Sequence, residues 1–207
     1  MAKITEAAEI SQIPSKVLLL YQAVNQLLEE GADPAKMRVS TITDKAGIGK
    51  GTAYEYFDSK EEIVVHAVVY QMQAEVSALE RGLMERKSFR EQLNFLLDEV
   101  DAHGSGDNCF LRLLHLLTDN SEMSRQVRCI LDSEECERYR LEWLFRKLLG
   151  AAVERGELKR DLPLDYMVYS MGARVLAYMV SLNDKGIQID HARMRELVYD
   201  GILAELC

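Results

Sequence analysis

Apolar residues recur at intervals of three and four along almost the whole of this chain, and no region supplies the strict alternation expected of half-buried strands. Val17, Leu20, Tyr21, Val24, Leu27 and Leu28 mark one apolar face of a helix opened by Pro14-Ser15 and stopped by Gly31. Phe89, Leu93, Leu96 and Val100 repeat the spacing. So do Leu141, Leu144, Phe145, Leu148, Leu149 and Ala152, in a long helix that stops near Gly156. Only three prolines and twelve glycines interrupt 207 residues, while good helix formers abound. The expectation is an all-α protein.

One stretch, "DKAGIGKGTAYEYF" from Asp44 to Phe57, admits two readings. Gly49-Lys50-Gly51-Thr52 resembles the end of a phosphate-cradling loop, which would make the chain a nucleotide-binding enzyme such as a kinase or ATPase. That loop needs a glycine five residues before Gly49, where the chain has Asp44, and a preceding strand of a parallel sheet. The upstream segment "RVSTITDKAGIG" decides against the strand. Val39, Ile42 and Ala46 share a face only if the segment is helical.

In the helical reading Gly47 is a left-handed cap, a new helix begins around Lys50, and Ala53 and Phe57 face inward one turn apart. "SKEE" at 59–62 has the form of a capping box, so a long helix starts there and runs past Val64, Ala67, Gln71 and Ala74. Residues 15–58 therefore read as three short helices, the second and third joined by a tight glycine turn. This is a helix-turn-helix. Gly49 and Gly51 let backbone approach a phosphate or base edge, Thr52 offers a hydroxyl, and Lys50 reaches a guanine acceptor or a phosphate. Tyr54 and Tyr56 lie two apart, so both cannot point into the core.

The stretch "TITDKAGIGKGTAYEYFDSKEEI", with the helix before it, resembles the N-terminal domain of TetR/AcrR-family transcriptional regulators over about residues 13–64. The family pattern is an apolar-rich second helix, A-G-[VI], a recognition helix with G-T-x-Y-x-Y-F, and then x-S-K-E-E-[LI]. The resemblance implies a helix-turn-helix DNA-binding domain at 1–60 and a larger helical ligand-binding and dimerisation domain at 61–207. It implies a homodimeric regulator, usually a repressor, that binds a double-stranded operator and answers to a small-molecule inducer. By position, DNA contacts fall on Lys50, Gly51, Thr52, Tyr54, Glu55 and Tyr56, with a phosphate clamp at Lys60 and further contacts at Ser40 and Thr41. Two positions depart from the pattern. Arg38 replaces a threonine before the second helix, and Thr43 replaces a small alanine.

The charge pattern permits this function. Residues 1–60 carry seven Lys/Arg against eight Asp/Glu, and residues 61–207 carry eighteen against twenty-six. Within 36–60 the balance inverts to five basic against three acidic, a basic island on a chain of net charge −9. Cys109, Cys129, Cys136 and Cys207 form no C-x-x-C pair, and His66, His103, His115 and His191 show no ligand spacing, so no metal or cofactor is expected. No catalytic set is locatable. The N-terminal segment lacks the apolar core of a signal peptide, and no run reaches the roughly 20 apolar residues needed to span a bilayer. The chain reads as a cytoplasmic protein with no membrane partner.

Two further sets of residues carry weaker expectations. Phe95, Phe110, Tyr139 and Trp143 either line an inducer cavity or pack in the core. Tyr169, Ala173, Leu176, Ala177 and Val180 on one helix, with Met194, Leu197, Val198 and Gly201 on the next, make faces rich in small residues. Such faces serve a four-helix bundle between two copies or ordinary intrachain core. "HGSGDN" at 103–108 reads as a loop, Leu111, Leu114 and Leu117 as a short helix, and the acidic run at 132–137 as a solvated helix start.

Overall fold

The computed structural model describes residues 13–103 and 122–207; the expected loop at 103–108 from its second residue, and the helix at 111–117, lie outside them. Among the described residues are nine α-helices and no strand. These are α1 (Ser15–Glu29), α2 (Val39–Ala46), α3 (Lys50–Tyr56), α4 (Lys60–Met84), α5 (Phe89–His103), α6 (Glu122–Leu131), α7 (Leu141–Glu154), α8 (Leu164–Ser181) and α9 (His191–Leu206). The fold is all-α, as the periodicity requires. No helix among the described residues is long and apolar enough to cross a membrane.

The chain forms two compact units, and the division falls within α4, after Ala74. The first unit joins α1, α2, α3 and the first part of α4 to the segment 122–137. Its core takes Val17, Leu20, Tyr21 and Val24 from α1, Ile42 from α2, and Ala53 from α3, with Phe57 just after it. Ile63, Val64, Ala67 and Val68 come from α4, and Val127, Ile130 and Leu131 from α6. Burial of such side chains contributes about 1.5–3 kcal/mol each before entropy is counted. Burial also pushes the Tyr21 phenol far above its ordinary range, with the nearby Glu62 charge adding to the effect. It remains a neutral core group.

Two short 3-10 segments lie between the α-helices. The connector between α1 and α2 contains a 3-10 turn, Pro34–Lys36, because the Asp33 carboxylate accepts from the Ala35 N–H at 2.9 Å and proline presets the first residue. The acidic run at 132–137 leads into a 3-10 helix, Glu134–Tyr139, with Asp132, Glu134 and Glu137 exposed. Cys136 within it is fully buried and accepts from the Gln73 side chain at 3.4 Å, which seats the segment on α4.

The second unit packs the end of α4 with α5, α7, α8 and α9. Phe89, Leu93, Leu97, Leu144, Leu148, Leu149, Met167 and Met171 form its interior. A polar chain closes one end. Gln92 donates to the Leu83 carbonyl at 3.1 Å and accepts from Arg155 at 3.3 Å, and Arg155 pairs with Glu157 at 2.6 Å. Glu157 in turn accepts from the backbone N–H of Phe89, capping α5 from a distant loop.

Candidate nucleic-acid interface

The turn between α2 and α3 is built by the backbone. Gly47 takes φ 67°, a left-handed conformation that side chains with a Cβ rarely adopt. The Gly47 N–H then reaches the Asp44 carbonyl at 3.3 Å and the Ile48 N–H reaches Thr43 at 3.0 Å, closing the helix end. Ile48 packs on the core, Gly49 is extended, and Lys50 opens α3. The glycine stretch thus leads from helix to helix, without the strand that a phosphate loop follows.

Ala53 is completely buried and orients α3. Lys50, Gly51, Tyr54 and Glu55 then face outward, with Tyr54 54% exposed. Thr52 is half-buried, and Tyr56 packs against the core beside Phe57. The two phenols separate as their spacing demands. Thr43, the replacement for a small alanine, is also accommodated: it is buried, and its hydroxyl donates to the Ser40 carbonyl at 3.1 Å.

The start of α2 is open. Arg38 occupies the N-cap position, but its side chain makes no capping hydrogen bond, so no side chain of the cap shields the first-turn N–H groups. Ser40 is half-buried and Thr41 exposed there. At the start of α4 the capping box is present: Glu62 N–H donates to Ser59 Oγ at 3.1 Å, and the Glu62 carboxylate accepts from the Asp58 N–H at 2.6 Å. The Lys60 ammonium, with its side chain only 16% exposed, donates to the Ala35 carbonyl at 2.9 Å and lies 3.1 Å from Glu61.

The basic island is partly neutralised within the chain. Lys36 pairs with Asp33 at 3.1 Å, Lys45 with Glu30 at 2.5 Å, and Lys60 with Glu61. Among the described residues Arg38 and Lys50 are left without an ion-pair partner, one at the mouth of α2 and the other at the start of α3.

A second surface lies on α8 and α9. Met167, Val168, Met171, Val175, Tyr178, Met179 and Ser181 are the buried residues of α8. The face marked by Tyr169, Ala173, Leu176, Ala177 and Val180 points out of the single chain, with Tyr169 65% exposed. On α9 Leu197 is exposed, whereas Met194, Val198 and Gly201 are half-buried. Glu205 ties the two helices together. It accepts from Tyr166 Oη at 2.5 Å, Ser170 Oγ at 2.8 Å, and Arg174 Nη2 and Nε at 2.7 and 3.1 Å. The Tyr166 bond, then those from Arg174 and Ser170, hold its carboxyl down at about 2. Gly201 has a local role: a Cβ there would come 3.0 Å from the Arg174 guanidinium as it crosses to Glu205.

Each described residue of the aromatic set has a local partner. Phe95 lies over the backbone of Gly82, where a Cβ would meet its ring at 2.2 Å, and Arg86 stacks on it at 3.9 Å. The Tyr139 ring is covered by Arg138 at 4.7 Å, and Trp143 lies 5.2 Å from the Lys147 ammonium. Phe110 lies outside the described residues. An open cleft of about 350 Å³ is lined by Asp101, Tyr178, Leu182, His191, Ala192 and Arg195, a charged set distinct from these aromatics.

Comparisons with known proteins agree with the local chemistry. Residues 19–67 match the family described as bacterial regulatory proteins, tetR family. The fatty acid metabolism regulator protein of Bacillus subtilis (strain 168) is 26% identical over 151 residues, 72% of this chain and 73% of that one. Among solved structures, FadR from Bacillus subtilis in complex with stearoyl-CoA is similar with a TM-score of 0.66 and 19% identity, covering 90% of this chain and 97% of that one. E. coli NemR in its reduced form gives a TM-score of 0.70 at 17% identity, over 94% and 99% of the two chains. Thermus thermophilus FadR in complex with lauroyl-CoA gives 0.60 at 15%, over 90% and 93%. At these identities the solved structures establish a shared fold.

Proposed function

Because this chain belongs to the TetR family of transcriptional regulators, and so among transcription factors rather than enzymes, we propose that it binds a pseudo-palindromic operator as a homodimer and represses until a small-molecule inducer releases it. The observation that carries the DNA-binding reading is the pair of glycines at 49 and 51. Neither has a positive φ, and a Cβ at either would meet nothing within 4 Å. Glycine within a helix costs about 0.5–1 kcal/mol relative to alanine, so Gly51 is a local cost with no return inside the chain. A ligand that needs bare backbone supplies the return.

That ligand is polyanionic. The uncapped first turn of α2 with Ser40 and Thr41 offers N–H groups to a phosphate, and Lys50 and Arg38 offer cations with no ion-pair partner among the described residues. Lys60 is the clamp held ready on the Ala35 carbonyl; Thr52, Tyr54, Glu55 and Tyr56 complete the contact set. The outward face of α8 and α9 is the dimer surface, pairing Tyr169, Ala173, Leu176, Ala177, Val180 and Leu197 with a second copy, while Met194, Val198 and Gly201 flank it. Two recognition helices then enter successive major grooves with half-sites roughly 34 Å apart.

For the inducer we infer a long-chain acyl-CoA, the ligand class in the two FadR complexes of similar fold. Binding in the helical unit that follows the reading head, with Phe95, Tyr139 and Trp143 as candidate apolar contacts, shifts α4 and the separation of the reading heads; this is a coupling free energy between sites. Selection of bound duplexes from a random pool, followed by titration of the best with acyl-CoAs of increasing chain length, tests both parts. A palindromic consensus released by long acyl-CoAs but not by free CoA is expected. No enriched duplex would sink the DNA-binding reading; an enriched duplex indifferent to acyl-CoAs would sink the inducer assignment alone.

A further inference from the structure

The surface proposed to meet DNA carries a carboxylate at its centre. Glu55 lies two residues, about 200° of helix, from the fully buried Ala53, so it and Gly51 point most directly outward from α3. The side chain is exposed, and among the described residues it has no hydrogen-bond or ion-pair partner. It does not brace the fold. Set against a phosphate-lined groove, an unpaired negative charge opposes binding to any duplex unless a base returns a hydrogen bond.

Building on the DNA-binding reading above, we propose that Glu55 selects an operator base: its carboxylate accepts from the N4 amino group of a cytosine in the major groove and excludes the alternatives. An ionised carboxylate only accepts. Guanine offers two acceptors at that edge, thymine an acceptor and a methyl, and adenine an amino group beside an acceptor, whereas cytosine offers an amino donor alone. Selection therefore works chiefly by repulsion of the wrong bases, with cytosine the one that relieves it. Gly51, one turn earlier on the same face, keeps the backbone low enough for so short an arm as glutamate to reach the base edge.

Duplex selection with the full-length wild type, Glu55→Gln and Glu55→Ala tests the assignment, with affinities for the selected and a random duplex measured across salt. The wild-type consensus should hold cytosine at one position of each half-site. Glu55→Gln should bind random duplex several-fold more tightly, admit adenine at that position through its amide, and lose about tenfold discrimination there. Glu55→Ala should lose preference at that position, and both variants should melt where the wild type does. If Glu55→Gln and Glu55→Ala recover the wild-type consensus with undiminished preference at every position, the carboxylate reads no base, although DNA binding stands. If the wild type itself enriches no duplex, this inference falls together with the DNA-binding reading.

Discussion

Replacing Gly51 by alanine is predicted to raise the stability of the protein while weakening its grip on DNA. The position is the second residue of α3, its φ is not positive, and an added Cβ meets nothing within 4 Å. Alanine there removes a helix penalty of about 0.5–1 kcal/mol without a clash. For a chain of this length that is a rise of roughly 1–4 °C in Tm. Against DNA the same methyl displaces the backbone. A contact near 2.9 Å pushed beyond about 3.5 Å is no longer a hydrogen bond, and one to a charged phosphate contributes about 1.5–3 kcal/mol. Affinity should fall about ten- to a hundredfold. Thermal unfolding followed by circular dichroism and anisotropy with a labelled selected duplex at fixed salt measure the two effects. Wild-type affinity in the variant would show that bare backbone at this position does not touch DNA, and a fall in Tm would show that the chain itself needs the glycine.

Glu205→Gln should destabilise the protein to urea at pH 7, through loss of the charge that Tyr166, Arg174 and Ser170 satisfy. Since the folded carboxyl is depressed to about 2 from an ordinary 4.5, the stabilisation is present above that ordinary value and is lost as pH falls toward 2. The wild-type advantage should close across that window at constant protein concentration; an advantage unchanged down to pH 2 would mean the charge contributes nothing. Lys60→Ala should weaken binding to selected and random duplexes alike and flatten the plot of log affinity against log salt by about one phosphate contact. An unaltered salt slope would remove Lys60 from the phosphate clamp. Tyr169→Glu with Val180→Glu places charge on the outward face of α8, so sedimentation velocity should show monomers with unchanged helical content. Dimers of wild-type strength would place the interface elsewhere.

Much of the helix-turn-helix half is legible from short range. The Gly47 turn, the Ser59–Glu62 capping box and the inward pair Ala53 and Phe57 each depend on residues within one or two turns. Alternation of Tyr54 and Tyr56 between solvent and core follows from helix geometry alone. Partners farther away are not legible. Lys60 lies on a carbonyl twenty-five residues earlier, Glu157 caps a helix sixty-eight residues earlier, and Gly201 makes room for an arginine of α8 rather than simply a close helix neighbour. On α8, apolar periodicity marks both the buried Met167–Met171–Val175 side and the outward Tyr169–Leu176–Val180 side, and nothing local distinguishes core from open face.

By itself the sequence determined an all-helical chain and the helix ends around Gly47 and Ser59, though not α6, because periodicity, caps and left-handed glycines act through hydrogen bonds a few residues apart. The tertiary structure alone decided that 122–137 completes the core of the first unit, that three of the five basic residues in 36–60 are paired at home, and which side of α8 faces out. Those outcomes depend on which distant surfaces meet. Apolar burial is non-directional and roughly proportional to area, so a helix's pattern says how much must be covered without saying by what.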